Sequence, residues 1–242
     1  MARGSPDWYG KRKTMINTPT LDMGELAARL GSPYVYDRRG DVMFLEGFEN
    51  GIGDWATGGG GTGTAVVATT ARALRGGVSA KLTAGSDGSL SALMDRRLTT
   101  SFGQRVGLTE TWSGGGNFAA HFMQMSHYDG STLRQYALRY DFTNQELQYL
   151  DENNAWVAFA TGVTIAVANV SWVDWKLIID LDNYEYVAAL VGPTAYSLAD
   201  IAPRSAAAAT APQIMVRLHL LGTAGGNGLL HSDAVIVTIN EP

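Results

Sequence analysis

Apolar and polar side chains alternate with a period of two along most of this chain, and the alternation sets in near residue 43. "GGVSAKLTAG" places Val78, Ala80 and Leu82 on one face and Ser79, Lys81 and Thr83 on the other. "SLSALMDRRLTT" and "QRVGLTETW" read as strands, with Val106, Leu108 and Trp112 on one side of the second. "NFAAHFMQMSHYDG" and "LRQYALRYDF" predict a hairpin around Asp129-Gly130, and "ELQYLDENNAWVAFAT" predicts another that turns at Asn153-Asn154. In "WVDWKLIIDLDNYEYVAALVG", Trp175, Leu177, Ile179 and Leu181 alternate inward and "LDNYE" makes the turn. "QIMVRLHLLG" and "SDAVIVTIN" close the chain as strands. "PRSAAAATAP", "GTAGGNG" and the Gly-rich "GGGGTGT" at 58–64 are predicted loops.

About ten to twelve strands at regular spacing predict an all-β protein, an antiparallel two-sheet sandwich. The front of the chain differs. Residues 1–20 show no hydrophobic period and contain Pro6 and Pro19, so an extended N-terminal arm is expected. "LDMGELAARLG" predicts one short helix over about 21–30, with Asp22 and Glu25 as a capping box, Leu26 and Leu30 on one face, and Gly31 as the stop. The expected division is arm plus helix over 1–42 and a β-sandwich body over 43–242, which the resemblance described below implies is a jelly roll.

Composition narrows the function classes. The chain has no cysteine, which excludes disulfides, thiolate metal sites and cysteine nucleophiles. No apolar run approaches the ~18 residues of a membrane helix, and no apolar stretch follows the basic start, so neither a membrane partner nor a secretory signal is expected. Residues 1–40 hold seven Lys/Arg against four acids, whereas the rest holds 11 basic and 19 acidic residues. A basic leader on an acidic body argues against direct nucleic-acid binding and suits docking on the acidic surface of a neighbour. Within that leader, Trp8 and Tyr9 supply rigid aromatic contact area, and Arg3, Lys11, Arg12 and Lys13 supply steering charge. Together they make an assembly arm.

The body carries a resemblance. "FLEGFENGIGDW" followed by "RGGVSAKLTAG" resembles the first strands of concanavalin-like and carbohydrate-binding-module jelly rolls. "WVDWKLIIDLDNYEYVAAL" resembles their late paired strands, and "HSDAVIVTINEP" their closing strand. With the front-end segments "RGSPDW", "LDMGELAARLG" and "YDRRGDV" and the terminal "NEP", the chain is similar to bacteriophage virion proteins of the head-decoration or tail-associated kind. That resemblance implies a non-enzymatic capsid-decoration subunit, made in the host cytoplasm and residing in the virion. Its partners would be its own copies, as a homotrimer, and other capsid or tail proteins. The alternative is a carbohydrate-binding module that attaches to a glycan or host surface, because the fold hosts unrelated activities.

Candidate chemistry is sparse. His121 and His127 share a strand face with Met123 and Met125, and His219 and His231 lie far off in sequence. Without HxH or HExxH spacing no zinc site is expected, and the histidines are assigned to the surface or an interface. Glu46, Glu49, Glu110, Asp141, Asp180 and Asp182 could supply a hydrolase pair, but no paired-Glu strand signature appears and Glu110 stands alone. No cofactor is required; the resemblance implies one structural calcium near the first and last strands, where Glu46, Glu49 and Asp233 fall. Among Trp112, Trp156, Trp172 and Trp175, the last belongs to the core by alternation. Trp156, beside the polar "DENNAW" turn, is the candidate glycan contact.

Overall fold

The computed structural model describes residues 40–86, 91–99, 105–165, 171–226 and 228–242. The predicted arm and its helix lie outside the described residues. Within them the chain forms sixteen strands and no helix. The first sheet runs in the order β13 (Thr194–Ile201), β12 (Glu185–Val191), β11 (Val173–Asp180), β6 (Arg105–Gly115), β16 (Leu229–Ile239), β4 (Ser79–Thr83), β3 (Ala65–Thr69), with β1 (Asp41–Glu46) also paired to β16. The second runs β10 (Trp156–Thr161), β9 (Glu146–Leu150), β8 (Thr132–Asp141), β7 (Phe118–Tyr128), β15 (Gln213–Gly222), β5 (Ser91–Thr99), β2 (Ala56–Gly59), with β14 (Arg204–Ala207) on β8. Pairing is antiparallel throughout. The closing strands insert centrally, β16 between β4 and β6 and β15 between β5 and β7, which makes the sandwich a jelly roll.

The predicted inward sets do face the core. Leu82, Val106, Leu108, Trp112, Trp175 and Leu177 of the first sheet meet Met94, Met123, Met125, Leu138, Val216 and Leu218 of the second, all fully buried. Each such side chain contributes about 1.5–3 kcal/mol on leaving water. Three turns share one device. The Oδ1 atoms of Asp141, Asp151 and Asp180 each accept two backbone N–H groups from the residues that follow, which closes the hairpins next to Gln145, Asn154 and Tyr184 at positive φ.

Three expectations need correction. Part of the Gly-rich stretch is strand: Gly58 and Gly59 pair with Leu93 and Ala92, and a Cβ on Gly59 would sit 2.6 Å from the Thr64 hydroxyl and 3.0 Å from the Ser91 carbonyl. Bare backbone is what permits that approach. The segment after Pro203 also contributes a strand, because β9 pairs with β8 only at 138–141 and leaves 132–135 for β14 to cover. The histidines are not on the surface: His121, His127 and His231 are buried and His219 is half-buried.

Polar groups tie the sheets together through the core. Glu110 of β6 lies among the inward residues with 0% exposure, and its Oε2 accepts the Trp175 indole N–H at 2.9 Å. His121 of β7 reaches across to the same oxygen through Nε2, also at 2.9 Å, while its Nδ1 donates to the His219 carbonyl at 3.0 Å. The imidazole stacks on Trp175 with centroids 4.9 Å apart and meets Trp112 edge-on at 5.0 Å. A second tie is the Tyr186 hydroxyl of β12. It accepts the Ala137 N–H at 2.9 Å and donates to the Leu150 carbonyl at 2.8 Å, filling the gap where β8 and β9 part.

Tyr186→Phe orphans two buried backbone groups and should cost about 2–4 kcal/mol, read as a lowered urea midpoint with unchanged far-ultraviolet dichroism. Burial pushes the His231 imidazole down to about 4, with Arg72 and Lys81 adding to it, and burial lowers His127 as well. The unfolded chain takes up these protons near pH 6.5 and the folded chain only at lower pH. Stability is therefore full above pH 6.5 and falls as the solution is acidified toward pH 4. His231→Gln should flatten that fall in a series of urea melts.

Candidate functional site

Each strand of the second sheet turns one parity inward and the other out. On β7, His121, Met123 and Met125 face the core, so Phe122, Gln124 and Ser126 face away from it. Register extends the outward row: Arg139 of β8 and His219 of β15 flank Phe122, and Gln148 of β9 stands opposite Arg139. The next row holds Ala137, Gln124, Arg217 and Asp95. At about 4.8 Å between strands, the row from Gln148 to His219 spans roughly 14 Å.

Trp156 opens the edge strand β10 and lays its indole over the Arg139 and Phe122 part of this row. Its ring lies 5.4 Å from that of Phe122 and 5.2 Å from the Arg139 guanidinium carbon. His219 packs edge-on against Phe122 at 4.4 Å. Phe122 is consequently only 8% exposed although it takes no part in the inter-sheet core, and Gln148 beside it is only 7% exposed.

The electrostatics of this face are balanced. Arg217 forms a bidentate pair with Asp95 at 2.7 and 2.8 Å, and Arg139 reaches Asp141 at 3.2 Å. Burial, reinforced by Arg217 and His121, pushes the His219 imidazole down to about 4, so it is uncharged at neutral pH. Several polar atoms here are buried without a partner among the described residues: Nε of Arg139, Oε1 of Gln148 and both ring nitrogens of His219. Buried polar atoms are nearly always paired, so a concentration of unpaired ones marks a place where a ligand or ordered water completes the network.

Of the sequence candidates, the structure places Trp156 on this face. Trp112 and Trp175 are in the core, and Trp172 lies apart beside Arg72. Glu110 is sealed between the sheets, and Asp141 and Asp180 hold turns, so these carboxylates are engaged structurally. The arm residues Arg3, Trp8, Tyr9, Lys11, Arg12 and Lys13 lie outside the described residues.

Two of the three calcium candidates grip one loop. Asp233 Oδ2 accepts the N–H groups of Leu74 and Arg75, and Glu49 Oε1 accepts those of Gly77 and Val78. Asp233 is 2% exposed and its Oδ1 has no partner among the described residues. Burial pushes its carboxyl above the usual range; the Arg75 and Leu74 N–H groups oppose this, and the Glu49 carboxylate adds to the rise. Glu46 is occupied elsewhere, by the Phe48 N–H at 2.8 Å and the Trp55 indole N–H at 3.4 Å. Among the described residues no three His, Asp or Glu side chains form a metal-binding group, so a hard cation here would take further oxygens from the backbone or water.

Sequence reasoning did not single out Phe122, Arg139, Gln148 or His219. One signal was available: Phe122 is an aromatic at the polar parity of a strand whose other parity already supplies the core. The remaining three gain meaning only from cross-strand register.

No protein-family model matches the chain. No curated protein sequence matches it either. Among solved structures, the fold is similar to that of the cellulose induced protein Cip1, with a TM-score of 0.55 at 14% identity over 81% of this chain and 96% of that one. It is also similar to a carbohydrate esterase from the Shiga toxin-encoding bacteriophage phi24B, with a TM-score of 0.50 at 16% identity over 78% and 92% of the two chains. A xylan-binding domain, CBM22-1 of Paenibacillus barcinonensis Xyn10C, aligns over 84% of this chain and 97% of that one with a TM-score of 0.41 at 14% identity. The first two likenesses establish a shared jelly-roll sandwich.

Proposed function

We propose that this protein is a carbohydrate-binding module that holds a glycan on the outward face of its second sheet. The observation that carries the reading is the row Gln148, Arg139, Phe122, His219, with Trp156 over Arg139 and Phe122, where aromatic surface adjoins buried polar atoms that have no partner among the described residues. Saccharides offer the matching surface: apolar C–H faces that pack on aromatic rings, ringed by hydroxyls that both donate and accept. Binding rather than hydrolysis is supported by the engagement of Glu110, Asp141 and Asp180 in the fold itself.

The capsid-decoration expectation, with its homotrimer and virion location, rests on the resemblance of "RGSPDW", "LDMGELAARLG", "YDRRGDV" and the terminal "NEP", of which the first two lie outside the described residues. A structural calcium on Asp233 and Glu49 belongs to the proposed reading. It is supported by the partnerless Asp233 Oδ1 and by the grip of both carboxylates on the 74–78 loop.

Retention on a glycan array should fall at least tenfold in Trp156→Ala while the melting temperature changes by only about 2 °C, within the range of an edge-strand surface substitution. Equal retention by the variant and the parent would reject the face as the binding site. Calcium at millimolar concentration should raise the melting temperature relative to EDTA, and Asp233→Asn should abolish the difference. Identical melts of the parent protein in calcium and EDTA would reject the metal site.

A further inference from the structure

The outward face of the second sheet also indicates which kind of glycan it takes. We infer that its ligand is an uncharged saccharide whose hydroxyls complete the hydrogen bonding of Arg139, Gln148 and His219 once the Trp156 indole turns off Arg139 and Phe122. This rests on the carbohydrate reading and adds a statement about charge and about closure.

The unmet hydrogen-bonding capacity is mixed. Arg139 Nε–H can only donate, Gln148 Oε1 can only accept, and the uncharged His219 ring presents one donor and one acceptor. A hydroxyl satisfies any of these, whereas a carboxylate offers acceptors only. A carboxylate brought here would also need an unmatched cation to offset its lost hydration. The two guanidinium groups of the adjoining rows are already matched, Arg217 by Asp95 in bidentate geometry and Arg139 by Asp141. Arg97, exposed on the same parity of β5, lies four residues from Leu93, the partner of His219, and so roughly 13 Å along the strand from this row.

Closure follows from the same geometry. The unpaired atoms of Arg139, Gln148 and His219 are hidden from solvent, and the Trp156 ring stands over the Arg139 guanidinium and Phe122. Trp156 belongs to β10, which among the described residues pairs on one side only, to β9. Its cross-strand neighbour is Leu150 of β9, and one strand further in Ala137 presents only a methyl group on the outward face. Turning the indole outward uncovers Arg139 and Phe122 in the middle of the row and leaves an aromatic wall along its side. A sugar ring placed there would pack against that wall and against Phe122.

The test is calorimetric titration of the full chain with two series of hexasaccharides: neutral gluco-, xylo- and galacto-oligosaccharides, and oligogalacturonate and oligoglucuronate. The expected result is binding of at least one neutral series and none of the uronates, with a shift in tryptophan emission that Trp156→Phe removes. Gln148→Met, which keeps volume but deletes the acceptor, should weaken neutral binding at least tenfold. Should Gln148→Met fail to fold, His219→Phe serves as the second variant: it deletes both ring nitrogens while keeping a ring against Phe122, and it should weaken neutral binding by a similar factor. Binding confined to uronates would overturn the inference and leave the carbohydrate reading standing. Neutral binding unchanged by Gln148→Met, or without the Trp156 emission shift, would also overturn it. Failure of every saccharide in both series would remove the carbohydrate reading along with the inference.

Discussion

A carboxylate fully buried between two sheets must be paired, and the pairing of Glu110 organises the centre of this molecule. Its partners come from both layers, Trp175 from the same sheet and His121 from the other, so the pair holds only when the sheets stand at one separation and one register. Breaking such a buried pair from one side costs far more than the pair adds over an apolar substitute. The cluster is therefore a specificity device. It fixes which residues of β6 lie opposite which residues of β7, and the Tyr186 hydroxyl repeats the constraint where β8 and β9 separate.

Once β7 is fixed by His121, its other parity has no freedom. Phe122 must face outward between Arg139 and His219, because a slip of one residue would send His121 out and Phe122 in. The same imidazole that pairs with Glu110 donates to the carbonyl of His219, whose ring lies on the opposite side of the sheet. The core tie and the candidate site thus share one strand and one hydrogen bond. The outward face can hold polar atoms without partners because the core alone stabilises the sandwich.

A comparable economy marks the first sheet. Lys176 and Glu241 form a fully buried ion pair at 2.7 Å on its outward side, joined by the Thr238 hydroxyl, and Gly107 makes room for them. A Cβ at Gly107 would come within 2.5–2.7 Å of Thr238, Glu241 and Lys176. Here a glycine in the middle of a strand reports a polar contact above it rather than a bend.

What the sequence by itself determined is the alternation and the turns. Period two in "WVDWKLIID" and "QRVGLTETW" places Trp175, Leu177, Val106 and Leu108 correctly, because each strand must bury one face whatever its partners are. Asp141, Asp151 and Asp180 close their hairpins by bonding backbone a few residues on, a purely local interaction. The tertiary structure decided everything that needs a partner from far along the chain. Gly58 and Ala206 become strand residues only because β5 and β8 offer open edges, the histidines are buried only because distant strands cover them, and Glu110 finds His121 only across the sandwich. The candidate site belongs wholly to this second class. Gln148, Arg139, Phe122 and His219 come from four strands spread over nearly a hundred residues, and register, which no local pattern encodes, is what sets them in one row.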